Sequence, residues 1–531
     1  MFRFPRRIAL VAIPLICLFV TACYLNLTDR GLPARIRDAI SKHDRLKGLT
    51  PISLTGGLPL PRHPLYKNEN RAVDPPVVDN FSLAAAATSA ADLPPIPSWN
   101  RPPTPHVPEH TPLLIGFTRN WRILQQAVVC YLTAGWPAGD IYVVENTGTM
   151  HANARGQLSL QNPFFLNHSR LALLGVNVIT TPTLLTFAQY QNFLLYEALQ
   201  RGWPHYWWSH MDVAVVAHEG REPYGSLYLK AVAALRNTTT SVREVQANRE
   251  GRTSWAQVLF AYDRLALVNT RAYLEVGGWD TQIPYYMTDC DMHERLDMAG
   301  YTREERDIGQ ICDVGTSVDD LLVFYRKRNG PQPSFKDPNP PEAYDADRVE
   351  REEERKAKED ENKLLSDEDK DEGSKLLSDE DKEEIDEKDK RTSHPLRLYV
   401  SASTAAQHEK WPEDARGSPT YHRLIHTIQA MDHAKYRAPQ GRNTWQHAQS
   451  GGQGEPFYRD PVGFETALWM TIDFGRTVFA AKWGHRDCDL RGVGLRPEHA
   501  WRVEQDWTYR ERHPGYVDPP EQRGEEGVRQ G

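Results

Sequence analysis

Between residues 113 and 315 the chain alternates short apolar runs with longer stretches of helical period. The run 113-LLIGFT-118 predicts a buried strand. Residues 120–135 predict a helix with Ile123, Val128 and Leu132 on its apolar side and Gly135 as its stop. Residues 140–148 predict a second strand ending in a turn cluster, and 170–182 a helix–strand pair joined at Gly175. In 186–202 the side chains of Phe187, Tyr190, Leu194, Leu195, Ala198 and Leu199 share one face, the pattern of an amphipathic helix closed by Gly202. A strand over 206–216 follows. Further on, 256–279 predicts two strands and a short helix, 285–301 an acidic motif leading into a helix, and 307–315 the last strand of this core. Strands and helices alternating across short connections predict an α/β fold with a largely parallel sheet covered on both faces. Ligands of such sheets sit outside the carboxyl ends of the strands.

Outside this core the pattern changes. Residues 8–27 are twenty residues without a charge, preceded by Arg3, Arg6 and Arg7. That length spans a ~30 Å hydrocarbon layer as a helix. The flanking arginines predict a cytosolic tail at 1–7 and a lumenal remainder. A cleaved signal peptide and a lipoprotein cleavage box at 20-VTAC-23 compete with this reading, and the apolar length favours an uncleaved anchor. Residues 28–110 read as a Pro-rich stem, with 94–112 as an extended, solvated spacer. Residues 338–394 are of low complexity, with KLLSDEDK at 363–370 and again at 375–382, and predict a solvated insertion with little core. Ser366 and Ser378, each followed by acids, are candidates for phosphorylation, although a tolerated loop is the simpler reading. Foldable sequence resumes over 395–510, with a helix at 419–436, so that 111–337 and 395–510 together form the main domain. Residues 511–531 read as a tail.

Composition narrows the class. The chain is 40% apolar and 25% charged, with a net charge of −8. Residues 349–391 hold 20 acidic and 11 basic side chains, so this tract carries −9 and the remainder about +1. No broad basic surface results, and nucleic-acid binding is not expected. Cys17 and Cys23 fall in the anchor. Cys130, Cys290, Cys312 and Cys488 remain for an oxidising lumen, where two disulfides in three possible pairings are allowed. Glycosylation sequons stand at Asn26, Asn80, Asn167 and Asn237.

The chemistry centres on 206-YWWSHMDVAVV-216. A buried charge is costly unless paired or bound to a metal. His210 and Asp212, two residues apart on a strand, project to one face and suit an octahedral Mg²⁺ or Mn²⁺. A capped strand end with a hydrogen-bonded histidine is the plain alternative. Some seventy residues later, 277-GGWD-280 precedes 288-TDCDMHERL-296. Asp289 there is either a helix cap or a general base toward a hydroxyl, with Asp291 orienting it or meeting an acceptor. Trp279, Tyr285 and Tyr286 offer flat surfaces to a sugar ring or belong to the core.

The order of these motifs resembles the GT-A glycosyltransferase fold, the nucleotide-diphospho-sugar transferase superfamily. It is closest to inverting family-2-type enzymes and to type II Golgi membrane transferases. The resemblance covers 113–315 and implies a Rossmann-type mixed, mostly parallel sheet with helices on both faces, following an N-terminal membrane helix and stem. In 116-GFTRN-120 it assigns Thr118 and Arg119 to the donor, and in 143-VVENTG-148 it puts Glu145 where an acid meets the base or ribose, favouring UDP. Asn192 stands near the family's R-N pair. His210 and Asp212 take the place of D-x-D, which keeps the metal-binding last carboxylate and departs from the family at its first residue. Asp289 takes the place of the catalytic base, with Thr288 where the family has Glu. A late histidine that ligates the metal in many such enzymes corresponds to His485, after a predicted strand, with His447 in reserve.

The implied reaction is a single displacement. Mn²⁺ or Mg²⁺ neutralises the leaving diphosphate, and Asp289 deprotonates the hydroxyl of a glycan or glycoconjugate acceptor. The implied location is the Golgi membrane, as a single-pass type II protein with its catalytic part lumenal. An inactive binding or scaffold subunit and a metal-dependent hydrolase using His210, Asp212 and His485 are the alternatives. The enzyme reading requires Asp212 and Asp289 to converge on one crevice.

Overall fold

The run Leu113–Phe117 forms strand β1, the third strand from one edge of a seven-stranded sheet. The computed structural model describes residues 76–248, 254–338, 411–437, 455 and 461–506. The anchor at 8–27, most of the stem, nearly all of the acidic insertion, the tail and His447 lie outside them. Among the described residues no helix is long and apolar enough to cross a membrane.

Strands β1, β2 (Ile141–Glu145), β3 (Asn177–Thr180) and β4 (His205–Ser209) run parallel. Strand β7 (Leu265–Asn269) is antiparallel to both of its neighbours, β4 and β6 (Ser254–Phe260), and β8 (Tyr301–Glu305) pairs parallel with β6. Alternation along β1 sends Leu113, Ile115 and Phe117 into one apolar cluster and Leu114 into another. The first cluster takes up helices α1 (Trp121–Thr133), α2 (His168–Leu173) and α4 (Leu227–Asn248). The second takes up α3 (Phe187–Gln200), α5 (Thr270–Glu275) and α6 (Thr288–Met298). Both faces are therefore covered, which is why the strands read as unbroken apolar runs.

Three features differ from the sequence expectation. Residues 206–216 are two strands in two sheets, because β4 ends at Ser209 and β5 (Val213–Val216) pairs antiparallel with β9 (Gln310–Asp313) in a separate ribbon. The segment before His485 is helix α8 (Pro461–Trp483) where a strand was expected. The described end of the Pro-rich stem, residues 76–110, has side chains seated in the core where a solvated spacer is expected. Phe81 and Leu93 are buried in the larger cluster, Asp79 pairs with Arg170 at 3.0 Å, and Asn100 donates to the Thr133 carbonyl at 2.8 Å. Prolines fix an extended backbone without opposing burial of the residues between them. One sequon is also closed off, since Asn80 is buried and donates to the Val318 carbonyl, whereas Asn237 is exposed.

The acidic insertion leaves and re-enters at one place. Arg328 N–H donates to the Pro412 carbonyl and Asp414 N–H to the Arg326 carbonyl, both at 2.9 Å, around the bridge Lys327–Glu413. Past it, helix α7 (Pro419–Tyr436) starts on a Ser418 cap and buries Tyr421, Leu424, Ile428 and Met431.

Helix α6 is seated on the sheet by His293. Tyr273 donates its hydroxyl to Gln257 Oε1, and Gln257 Nε2 in turn faces His293 Nε2 at 3.0 Å, which requires a neutral ring. Burial, with repulsion from Arg303, holds His293 down at about 4 against the attraction of Asp289, Asp263 and Asp297. The unfolded chain, with an ordinary value of 6.5, binds the proton first. Stability from this group is complete above pH 6.5 and is lost as pH falls toward 4. In scanning calorimetry, His293→Gln should show a smaller drop in unfolding temperature across that window than the wild type.

Candidate active site

At the end of β4 the chain leaves the main sheet, and the crossing to β5 places His210, Met211 and Asp212 on the wall of a cavity of about 760 Å³. The cavity lies at the carboxyl ends of the parallel strands, where Thr118 and Arg119 follow β1 and Asn146 and Thr147 follow β2. Its volume falls in the range of small-molecule sites, roughly 300–1,000 Å³. Asp289 and Tyr285 line it too, so the structure brings Asp212 and Asp289 to one crevice.

Asp212 sits in a buried ion cluster. The β5–β9 register sets Val213 opposite Asp313, and Val314 N–H donates to the Asp212 carbonyl at 2.7 Å. Lys435 of α7 donates to Asp212 Oδ2 at 2.6 Å and to Asp313 Oδ1 at 2.5 Å. Tyr436 donates to the other oxygen of Asp313 at 3.3 Å. Burial raises the carboxyl of Asp212, but the Lys435 and His210 charges outweigh it and leave it below the ordinary value. For Asp313, burial and the neighbouring Asp212 charge prevail and raise it.

His210 packs against Phe187 and Trp208, with ring centroids at 6.4 and 5.3 Å, and its Nε2 faces Asp263 at 3.4 Å. Burial opposes its charge, yet Asp263, Asp212 and Asp313 together hold it up at about 9. Asp263 arrives on a strained turn. Ala261 and Tyr262 are left-handed without being glycine, at φ 59° and 57°, each at a cost of roughly 1–3 kcal/mol. The same turn carries Tyr262, whose hydroxyl donates to Asp289 Oδ2 at 3.1 Å. Asp289 occupies the first turn of α6, behind a left-handed Met287 at φ 72°.

The remaining wall comes from α8, with Phe464, Leu468, Trp469, Ile472 and Arg476. Arg119 lies over the Phe464 ring at 4.3 Å, and Arg476 over Tyr286 at 5.3 Å. Helix α8 is fastened to α6 through Asp291. This fully buried carboxylate accepts from Arg295 at 2.8 Å and from Trp483 Nε1 at 2.9 Å, and it pairs with Lys482 at 2.7 Å. A Cys290–Cys488 disulfide joins the same two regions across 198 residues, a closure worth up to ~5 kcal/mol in the chain-entropy view. Cys130 and Cys312 are free and buried, so one of the two allowed disulfides exists among the described residues.

Several residues assigned to the site lie elsewhere. Asp291 is the structural tie just described. Glu145 is fully buried and taken up by Asn153, His168 and Thr147, which removes the reason for preferring uridine. Asn192 spends both amide atoms on the Trp279 backbone at 2.8 Å, where Gly278 at φ 71° leaves no room for a Cβ beside it. Trp279 packs in the core against Phe187 and Tyr273. His485 pairs with Asp506 after the end of α8 and does not line the cavity.

These residues do not fit a divalent ion. Asp212 and Asp313 already share an ammonium, His210 turns its Nε2 to Asp263, and His485 pairs with Asp506 outside the cavity lining. Among the described residues no group of three or more His, Cys, Asp or Glu is placed to hold a metal.

The residues that sequence reasoning missed are Asp313, Lys435, Tyr262, Asp263 and the α8 wall. Lys435 had a signal, since it continues the stripe Leu424, Ile428, Met431 at spacings of four, three and four.

No protein-family model and no curated protein matches the sequence. Among solved structures, the mannosyltransferase PcManGT from Pyrobaculum calidifontis, in complex with GDP-Man and Mn²⁺, aligns at 13% identity and a TM-score of 0.25. That alignment covers 39% of this chain and 58% of the mannosyltransferase, under two thirds of its length. The catalytic domain of Drosophila β1,4-galactosyltransferase 7, in complex with xylobiose, aligns at 10% identity and a TM-score of 0.21, over 38% of this chain and 67% of its own. Function therefore rests on the cavity's own chemistry.

The contrast between the two acids of α6 is measurable by equilibrium denaturation. Asp291→Ala takes the shared carboxylate from Arg295 and Trp483 and leaves buried Lys482 to Asp280 alone, and should lower unfolding free energy by ~3–5 kcal/mol. Asp289→Asn should change it by less than about 1 kcal/mol.

Proposed function

We propose that the chain is a glycosyltransferase that moves a sugar from a nucleoside-diphosphate donor to a hydroxyl of a glycan or glycoconjugate. One observation carries the reading. A cavity at the carboxyl ends of the parallel strands combines a half-buried aspartate at a helix start with flat aromatic surfaces and several cations. Asp289 is the general base. It accepts the proton of the acceptor hydroxyl as that oxygen attacks the anomeric carbon. The bond from that carbon to the diphosphate breaks with its electron pair leaving on the diphosphate, and the configuration inverts. The Tyr262 hydroxyl steers the Asp289 carboxylate.

Tyr285, Tyr286 and Trp469 offer faces to sugar rings, and Arg119, Arg264 and Arg476 bring positive charge to the donor. The hydrolase reading loses its ligand set with His485 outside the cavity. The proposal includes a single-pass type II placement in the Golgi membrane, and the Cys290–Cys488 bond suits an oxidising lumen.

The test is a panel of sugar nucleotides offered to the full chain, scoring donor hydrolysis and transfer. In Asp289→Asn, kcat should fall by ~10²–10⁴-fold while donor affinity stays within about threefold. An unchanged kcat in that variant removes the assignment.

A further inference from the structure

Lys435 is only 2% exposed, and its ammonium stands between two acids, 2.6 Å from Asp212 Oδ2 and 2.5 Å from Asp313 Oδ1. The backbone puts those acids side by side. Strand β5 begins one residue after Asp212, β9 ends at Asp313, and the two strands are hydrogen-bonded neighbours. Helix α7 delivers the lysine on its buried stripe and adds two further ties to Asp313, the Tyr436 hydroxyl at 3.3 Å and the Asp432 carboxylate, which takes the Asp313 N–H at 2.9 Å. Bonds from an ammonium to two carboxylates at these lengths are charge-assisted and strong. Paired carboxylates facing a cavity are also what a hard divalent cation takes up, with oxygens at ~2.0–2.1 Å for Mg²⁺. Here the lysine nitrogen fills the point between them.

We infer that Lys435 takes the place of a divalent cation between Asp212 and Asp313, so that the cavity holds a diphosphate ligand without a metal. The identity of the ligand rests on the glycosyltransferase reading, whereas the exclusion of the ion rests on the geometry alone. A tethered ammonium differs from an ion in two ways. A chelator cannot remove it, and it supplies one positive charge where the ion supplies two. Arg119, Arg264 and Arg476, all on the cavity wall, add the rest.

The experiment uses the full chain and has two arms. In the first, Mn²⁺ uptake is followed by electron paramagnetic resonance. Wild type and Asp212→Asn should behave alike, and Mn²⁺ uptake by the wild type that Asp212→Asn abolishes would overturn the inference. In the second, UDP and GDP binding is measured by calorimetry in EDTA and in excess Mn²⁺. Wild-type affinity should be the same in both. Lys435→Ala should lose about tenfold or more in EDTA and recover it with Mn²⁺, which a lysine of purely structural role would not show. A wild type that needs Mn²⁺ to bind either nucleotide overturns the inference as well. Should Lys435→Ala fail to fold, the wild-type measurements decide alone. If neither nucleotide binds in any buffer, the glycosyltransferase reading fails while the Mn²⁺ arm still decides the place of the ion.

Discussion

Two carboxylates buried side by side cannot both stay charged without a counter-charge, and the lysine on α7 provides it. Asp212 and Lys435 are 223 residues apart in the chain, so this contact does more than neutralise charge. It holds the β5–β9 ribbon, the break after β4 and the returning C-terminal part in one arrangement, and it sets what the inner wall of the cavity presents. Attraction across a buried pair is offset by desolvation of both ions, so such a cluster adds little net stability while making its own disruption costly. Its effect is to fix which segments meet.

A second constraint works on α6. Asp289 and Asp291 are two residues apart, which on a helix turns them by about 200° around the axis. One carboxylate therefore meets the cavity and Tyr262, while the other is buried among Arg295, Lys482 and Trp483. The motif that reads as a pair of like acids is a working face and an anchoring face of one turn. With Cys290 between them bonded to Cys488, the start of the helix has little freedom to rotate.

Much of this was legible in the sequence. The central strands and α1 and α3 fall within about two residues of their expected places, because a sheet covered on both faces writes itself as uninterrupted apolar runs. The break after Ser209 was hidden, since apolar Met211 bridges two apolar strands and period alone cannot reveal a change of sheet. Glu145 was misplaced because both faces of β2 are covered, so that alternation along the strand marks no solvent side, and its side chain goes with Ile141 and Val143 into the larger cluster's side. Resemblance to a motif supplied a residue type there and left out the direction in which the side chain points. The cations and aromatics of α7 and α8 were out of reach for another reason. The stripe of α7 marks Lys435 as facing inward, but its partners, like those of the α8 side chains, lie more than a hundred residues away, and no local pattern names them.

The pinned exit and return of the acidic segment has an evolutionary consequence. Since Arg326–Arg328 and Pro412–Asp414 meet each other directly, residues gained or lost within 339–394 leave that junction, the sheet and the helix that follows in place. The doubled KLLSDEDK octamer sits inside that bracket. Copying errors at this locus could accumulate under weak selection, and length differences between orthologues would be expected to concentrate there while the cavity stays constant.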